Sequence, residues 1–395
     1  MGDGVKDLAS IDGIGEELVR VALGASQHLP VLVWAYFGPP EWLEEARRTA
    51  EPATSLLARA NRLRDAAEKS DDAFIAAQAD AIACQLEVML GASISYLDQA
   101  RRLLGIPDPT PHTDALEELK AEVVNLASQV VGGADPVRRW EREMALTGEA
   151  KWDAAVEAYL DGRHWLKAHF PVAISEDLEL GRDSEYHSSV HMNWRSGLTM
   201  RLSVNVNTPR TRQSTRFEVA HNGYPGDYLR IAALDQYSYR ADGYLPACIK
   251  LKNAPESVIS EGIEDVAYLR MVGQPSPEEL LASRLEWLRR GVAAIAAVMV
   301  RERQASAAEV TDYCSVHGFM AEDRIANELR LIDHPVWGVY RAAYWPGREL
   351  IMEADRRGAR AASAGDYLKF LYTRPHLPAT MLADLDRYLD QAQRR

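Results

Sequence analysis

A mainly α-helical fold with one small antiparallel β-sheet is what this 395-residue sequence predicts. Two observations carry the prediction. Apolar residues recur at helical spacing between start and stop residues over most of residues 1–180, and again from Pro255 to the C-terminus. Between them, Glu185–Asn207 changes texture: runs shorten and apolar and polar residues alternate, as in the LTMRLSVNV of Leu198–Val206.

Taken in order, Pro39-Pro40 opens a charged amphipathic stretch over Glu41–Lys69. Asp71 or Asp72 caps a long helix over Ala73–Leu104, and the Pro-rich Ile106–Pro111 is a linker. A helix over Ala115–Val131 starts at Thr113 or Asp114 and stops at Gly132-Gly133. Asp135-Pro136 is a cap followed by a first-turn proline for Val137–Leu146, and Glu149–Phe170 is stopped by Pro171. Ser188–Met192 and Leu198–Val206 are strands joined by a turn at Arg195-Ser-Gly. A polar loop, Thr208–Arg216, leads into a helix containing His221. After Pro255, helices are predicted over Pro277–Arg303, Ala307–Gly318, Ala321–Leu331, Trp345–Arg360 and Ala379–Gln393. This divides the chain into an N-terminal helical region, residues 1–180, and a core region, residues 181–395, within one continuous globular unit.

Composition narrows the function classes. A net charge of −13 argues against a nucleic-acid or anionic-membrane surface. Cys84, Cys248 and Cys314 are far apart and odd in number, which suits a reducing compartment without a disulfide framework. The first residues lack the basic and apolar runs of a signal peptide, and Lys6 stands where a myristoylation signal needs Ser or Thr. Val31–Phe37 and Val292–Val300 are too short to span a bilayer. The expectation is a soluble cytoplasmic protein with no nucleic-acid or membrane partner.

The rest of the chain is best placed around Phe217–Arg230, FEVAHNGYPGDYLR. His221 and Asp227 are six residues apart and would point about 120° away from each other on an undisturbed helix. Pro225-Gly226 predicts a kink or wide turn between them, which swings Asp227 toward the space His221 faces.

This stretch resembles the HEGYPGHH motif of the DUF885 metallopeptidase-like family, whose fold is similar to the M32 carboxypeptidases. Asn253–Tyr268, NAPESVISEGIEDVAY, is similar to that family's NAPE-VISEGIA motif. Arg201–Pro209 resembles the strand before its first motif, and Arg341–Glu349, RAAYWPGRE, its RY-x-x-PGQA segment. The likeness covers roughly residues 190–385, and it implies an M32/gluzincin-like helical metallopeptidase scaffold with the sheet beside a cleft. It also implies metal ligands at His221, Asp227 and Glu261. The departures are equally plain. Asn222 stands where the family has the Glu that activates water, and Tyr228 where it has the second His of its pair. Met352 takes the place of a Tyr, and Phe370-Leu371 that of an FH pair.

One imidazole and two carboxylates form a hard donor set, suited to manganese, iron or magnesium over zinc. The alternative is that Asp227 and Glu261 are salt-bridged remnants around an empty cleft. Asn222 can neither take nor give a proton at neutral pH, which removes help worth about 10²–10⁴-fold in such hydrolysis. Glu264 and Asp265 share the helical face of Glu261, so either could serve as a base or pair with Arg230 or Arg341. Arg341 is the candidate to steady a substrate or a nearby carboxylate.

Tyr224, Tyr228, Tyr237, Tyr239 and Tyr244 suit either a ligand cleft or a half-buried helix face. Arg210, Arg212 and Arg216 suit a carboxylate clamp or a solvated loop. His187 and His191 share a strand face, as a second metal pair or a wall of the cleft, and Cys314 reads as core.

The leading expectation is a divergent metallopeptidase-like protein performing a metal-assisted reaction on a small molecule or peptide. Its rivals are a pseudoenzyme that binds a ligand or partner in the retained cleft, with the metal absent, and an oxygenase-type enzyme using a His/Asp/Glu set.

Overall fold

The computed structural model describes residues 11–184, 188–359, 363–392 and 394. In the N-terminal half, α1 (Ile11–Ala25), α2 (Pro40–Thr49), α3 (Ala53–Lys69), α4 (Ala73–Met89), α5 (Tyr96–Leu104) and α6 (Thr113–Val130) are followed by α7 (Pro136–Glu143) and α8 (Gly148–His169). Strand β1 (Val33–Tyr36) lies between α1 and α2, and β2 (Ala145–Leu146) precedes α8. Strands β3 (Leu178–Asp183), β4 (Val190–Ser196) and β5 (Thr199–Asn205) form a sheet, and β6 (Arg210–Thr211) pairs with β2. Then come α9 (Arg212–Asn222), α10 (Asp227–Ala233), a π-helical turn over Leu234–Ala241, and β7 (Ile249–Leu251), which pairs with β1. The C-terminal half consists of α11 (Pro255–Val272), α12 (Pro277–Arg301), α13 (Ala307–Gly318), α14 (Glu322–Asp333), α15 (Trp337–Tyr340), α16 (Tyr344–Gly358), α17 (Ala364–Thr373) and α18 (Met381–Ala392).

The fold is mainly helical with small sheets. The three-stranded sheet, however, is mixed rather than antiparallel. The chain runs along β3, returns along β4, and comes back along β5 between the two, so β5 is antiparallel to β4 and parallel to β3. The hairpin turns at Gly197, which has φ 52°. Strand β3 was not foreseen because LELGRD carries charge and a glycine. Its extended shape comes from its register with β5, Leu178 opposite Met200 through Asp183 opposite Asn205.

The single helix expected over Ala73–Leu104 is two. Gly91, at φ 97°, ends the first, and the Ser95 hydroxyl accepts from the Asp98 amide to start the second. The Glu41–Lys69 stretch likewise breaks at Ala50, whose backbone is left-handed, before Pro52 caps α3.

One hydrophobic cluster runs from Ile14 to Leu389 and so joins both halves of the chain. At its centre is α11, buried at every position from Ser257 to Tyr268. It packs against α9, α10, α12 and α16. Gly262 and Gly347 allow the closest of these approaches: a Cβ at Gly262 would lie 2.2 Å from the Gly347 carbonyl oxygen, and one at Gly347 would lie 2.1 Å from that of Val258. The two glycines of the SEGI and PG segments therefore dock α16 on α11. No described helix is long and apolar enough to cross a membrane.

Candidate metal centre

Helix α9 ends at Asn222, and the chain folds back through Gly223–Gly226 before α10 begins at Asp227. The Gly226 amide donates to the Ala220 carbonyl at 3.0 Å. A Cβ at Gly226 would lie 1.9 Å from the His221 carbonyl oxygen, so only glycine fits. This tight return brings Asp227 to the cluster that His221 faces, as the Pro-Gly pair predicts.

The second motif positions the acids. Asn253 has φ 55°, a left-handed conformation that Asn tolerates better than most side-chain-bearing residues, and Pro255 then occupies the first turn of α11. Glu261, Glu264 and Asp265 emerge on one face of this buried helix at 2%, 3% and 1% exposure. Burying charge requires partners. His221 Nε2 lies 3.3 Å from Glu264 Oε2 and 3.6 Å from Glu261 Oε2, and His221 Nδ1 lies 3.5 Å from Asp265 Oδ1. The ring stacks on Phe217, with centroids 6.1 Å apart. His221, Glu261 and Glu264 each offer an atom within 4.8 Å of the others.

The opposite carboxylate oxygens of Glu261 and Glu264 meet cations and a phenol. Lys250 Nζ pairs with Asp227 and lies 3.4 Å from Glu264 Oε1. The Tyr340 hydroxyl donates to Glu261 Oε1 and accepts from Lys252 Nζ at 2.7 Å. Lys252 Nζ is also 3.8 Å from Glu261 Oε1 and faces the rings of Tyr340 and Trp34 at 4.2 and 4.6 Å. Arg290 pairs with Asp265 and lies over Tyr344 at 4.5 Å. Four carboxylates thus meet three cations.

Burial sets the protonation of the cluster. Desolvation, with Arg290 nearby, holds His221 well below the usual histidine range, so the imidazole is neutral. Desolvation and the charges of Asp227 and Glu261 push Glu264 well above the usual carboxyl range. Lys250 is the reverse case: desolvation pulls it down, but Asp227 and Glu264 together outweigh that and raise it. Lys252 is lowered, mainly by desolvation.

The expected ligand set is therefore only partly assembled. His221 and Glu261 converge, Glu264 joins them, and Asp227 sits one ammonium group away on Lys250. Asn222 is turned aside, its Nδ2 donating to the Glu218 carbonyl at 2.9 Å. Arg341 pairs with Glu328 at 3.2 Å rather than with Glu264 or Asp265, and Arg230 pairs with Glu256. Arg210 pairs with Glu218, and Arg212 and Arg216 with acids of α8, so they form no clamp. Tyr228, which is fully buried, and Tyr237, which is half-buried, bond to the backbone of Asp177 and Ala173. His191 lies 3.5 Å from Asp183, and His187 is outside the described residues.

Sequence reasoning missed Lys250, Lys252, Arg290 and Tyr340. A signal for the lysines was present: Lys250 and Lys252 alternate within the otherwise apolar Ala247–Lys252 approach to the second motif. Tyr340 directly precedes the segment that the resemblance singled out.

No family model matches the chain, and no curated protein matches it. Solved structures that share its fold include two bacterial proteins. A protein of Colwellia psychrerythraea, provisionally described as a lipoprotein, has a TM-score of 0.59 at 14% identity, with 98% of this chain and 71% of that one covered. A protein of unknown function from Shewanella oneidensis, likewise described, has a TM-score of 0.52 at 10% identity, with 88% and 70% covered. At these identities the likeness shows the fold alone.

Proposed function

We propose that the chain is a divergent metallopeptidase-like protein that binds a divalent cation through His221, Glu261 and Glu264 and does not act as a general peptidase. The observation behind this reading is the convergence of three buried donors. Their spacings to His221, 3.3 and 3.6 Å, match the roughly 3.3–3.6 Å between ligands of a tetrahedral site with bonds of about 2.0–2.2 Å. Glu261 Oε2 is buried without a hydrogen-bond partner. The imidazole is neutral, as a ligand must be.

A cation there would supply Lewis acidity toward an oxygen of a bound molecule. The chain's own groups orient the donors. Tyr340 and Lys252 hold Glu261 by its other oxygen, and Asp265, neutralised by Arg290, faces the remaining nitrogen of His221. In this reading Glu264 is a ligand rather than a base, and Asn222 faces its own helix. Hydrolysis of ordinary peptides then lacks a proton acceptor. With His221 only 8% exposed, the partner is a small molecule or the end of a peptide.

Elemental analysis of the purified protein tests the reading. One equivalent of metal is expected, lost in His221→Ala and Glu264→Gln and kept in Asn222→Ala. Absence of metal, together with no binding after titration with manganese or zinc, would overturn it. A second reading, a pseudoenzyme, draws on the three cations already facing the acids, and that same result would favour it.

A further inference from the structure

Lys250 is the group that most distinguishes this cluster from an open ligand set. Its backbone is fixed by the pairing of β7 with β1, where Lys250 stands opposite Ala35. Its side chain is 8% exposed and reaches between Asp227 and Glu264. Asp227, at the start of α10, is itself 5% exposed and uses Oδ1 on that ammonium. Two effects follow from this placement. Asp227 is held on Lys250 instead of turning toward His221, and a positive charge stands beside a carboxylate that would hold a cation. Like charges a few ångströms apart in a buried setting repel strongly. Lys252 is placed differently: three aromatic rings, those of Trp34, Trp337 and Tyr340, face its ammonium and screen it.

We propose that Lys250 sets the affinity of the site for divalent cations: its ammonium keeps Asp227 from joining His221, Glu261 and Glu264 as a fourth ligand and repels the incoming ion. The inference rests on the reading of those three residues as ligands, and the test separates the two.

Chelator-stripped full-length protein is titrated calorimetrically with manganese and with zinc, as parent, Lys250→Met, Lys250→Arg and Lys250→Met/Asp227→Asn. Lys250→Met should bind at least tenfold more tightly than the parent. Lys250→Arg, which keeps the charge, should bind as the parent does, and adding Asp227→Asn should give back most of the gain. Equal or weaker binding by Lys250→Met than by a binding parent overturns the role of Lys250 and leaves the ligand assignment standing. Binding by Lys250→Met but not by the parent supports the role of Lys250 and overturns metal binding by the natural protein. No binding by either overturns both. Circular dichroism checks each fold, and Lys250→Gln carries the same comparison should Lys250→Met not fold.

Discussion

At the scale of single residues, position in the motif and position in space part company at Asp227 and Glu264. Asp227 is a ligand only by what the resemblance implies, and its carboxylate is paired with Lys250, while Glu264 faces His221. Asn222 shows the same separation. Placing an acid there should not create peptidase activity, because the side chain projects toward the Glu218 carbonyl on its own helix. Asn222→Glu alone is expected to leave dipeptide and casein turnover at background, and robust metal-dependent turnover would refute that placement.

His376 permits a residue-scale prediction about pH. It is 5% exposed, and desolvation, with Arg230 nearby, lowers it to about 3. A histidine depressed in the fold binds its proton more readily when unfolded. Its contribution is therefore intact above the unfolded value near 6.5 and is lost as pH falls from there toward about 3. The loss amounts to about 1.4 kcal/mol per pH unit well inside that window. His221 adds in the same direction, and Glu264, raised in the fold, opposes it by losing stability as pH rises. Urea unfolding at pH 7, 6 and 5 should give a shallower acid loss for His376→Gln than for the parent. Equal slopes would show that His376 takes up its proton in the fold as readily as in the unfolded chain.

At the scale of elements, the contact of α11 with α16 sets the site. Gly262 and Gly347 let the helices approach until Glu261 meets Tyr340, which lies just before α16. Gly262→Ala would place a methyl 2.2 Å from a carbonyl oxygen that cannot retreat without moving α16. Overpacking of this kind costs about 1–3 kcal/mol. Denaturant unfolding should show that loss, and under the proposed metal binding the affinity should fall with it because Tyr340 is displaced from Glu261. A variant as stable as the parent would mean that the helices separate without penalty. The glycines of these two segments set the distance between the helices that place the acids.

At the scale of the whole molecule, a buried arginine ties distant parts of the chain. Arg289 of α12 makes a two-pronged contact with Glu141 of α7 at 2.8 and 2.7 Å, and it also donates to the Gly318 and Phe319 carbonyls. Arg289 also pairs at 3.2 Å with Glu286, which is itself buried, and breaking a buried pair from one side typically costs about 3–5 kcal/mol. Arg289→Ala should lose stability in that range, whereas Arg387→Ala, with its exposed pair to Asp384, should change it by less than about 1 kcal/mol. Urea unfolding of the two variants makes the comparison, and similar losses would contradict it. Because a single apolar cluster runs through both halves, unfolding followed by circular dichroism and by tryptophan fluorescence should coincide.

The sequence alone determined the helical character, the hairpin at Gly197, the break between His221 and Asp227, and the shared face of Glu261, Glu264 and Asp265. Each of these depends on residues a few positions apart, where periodicity, proline and glycine act directly. Only the tertiary structure decided that Lys250 would take Asp227, that Arg290 rather than Arg230 or Arg341 would take Asp265, and that β3 would lie parallel to β5. These outcomes join residues from 22 to 25 positions apart in the chain. Which cation reaches a buried acid depends on helix packing and strand register, and local spacing does not encode either one.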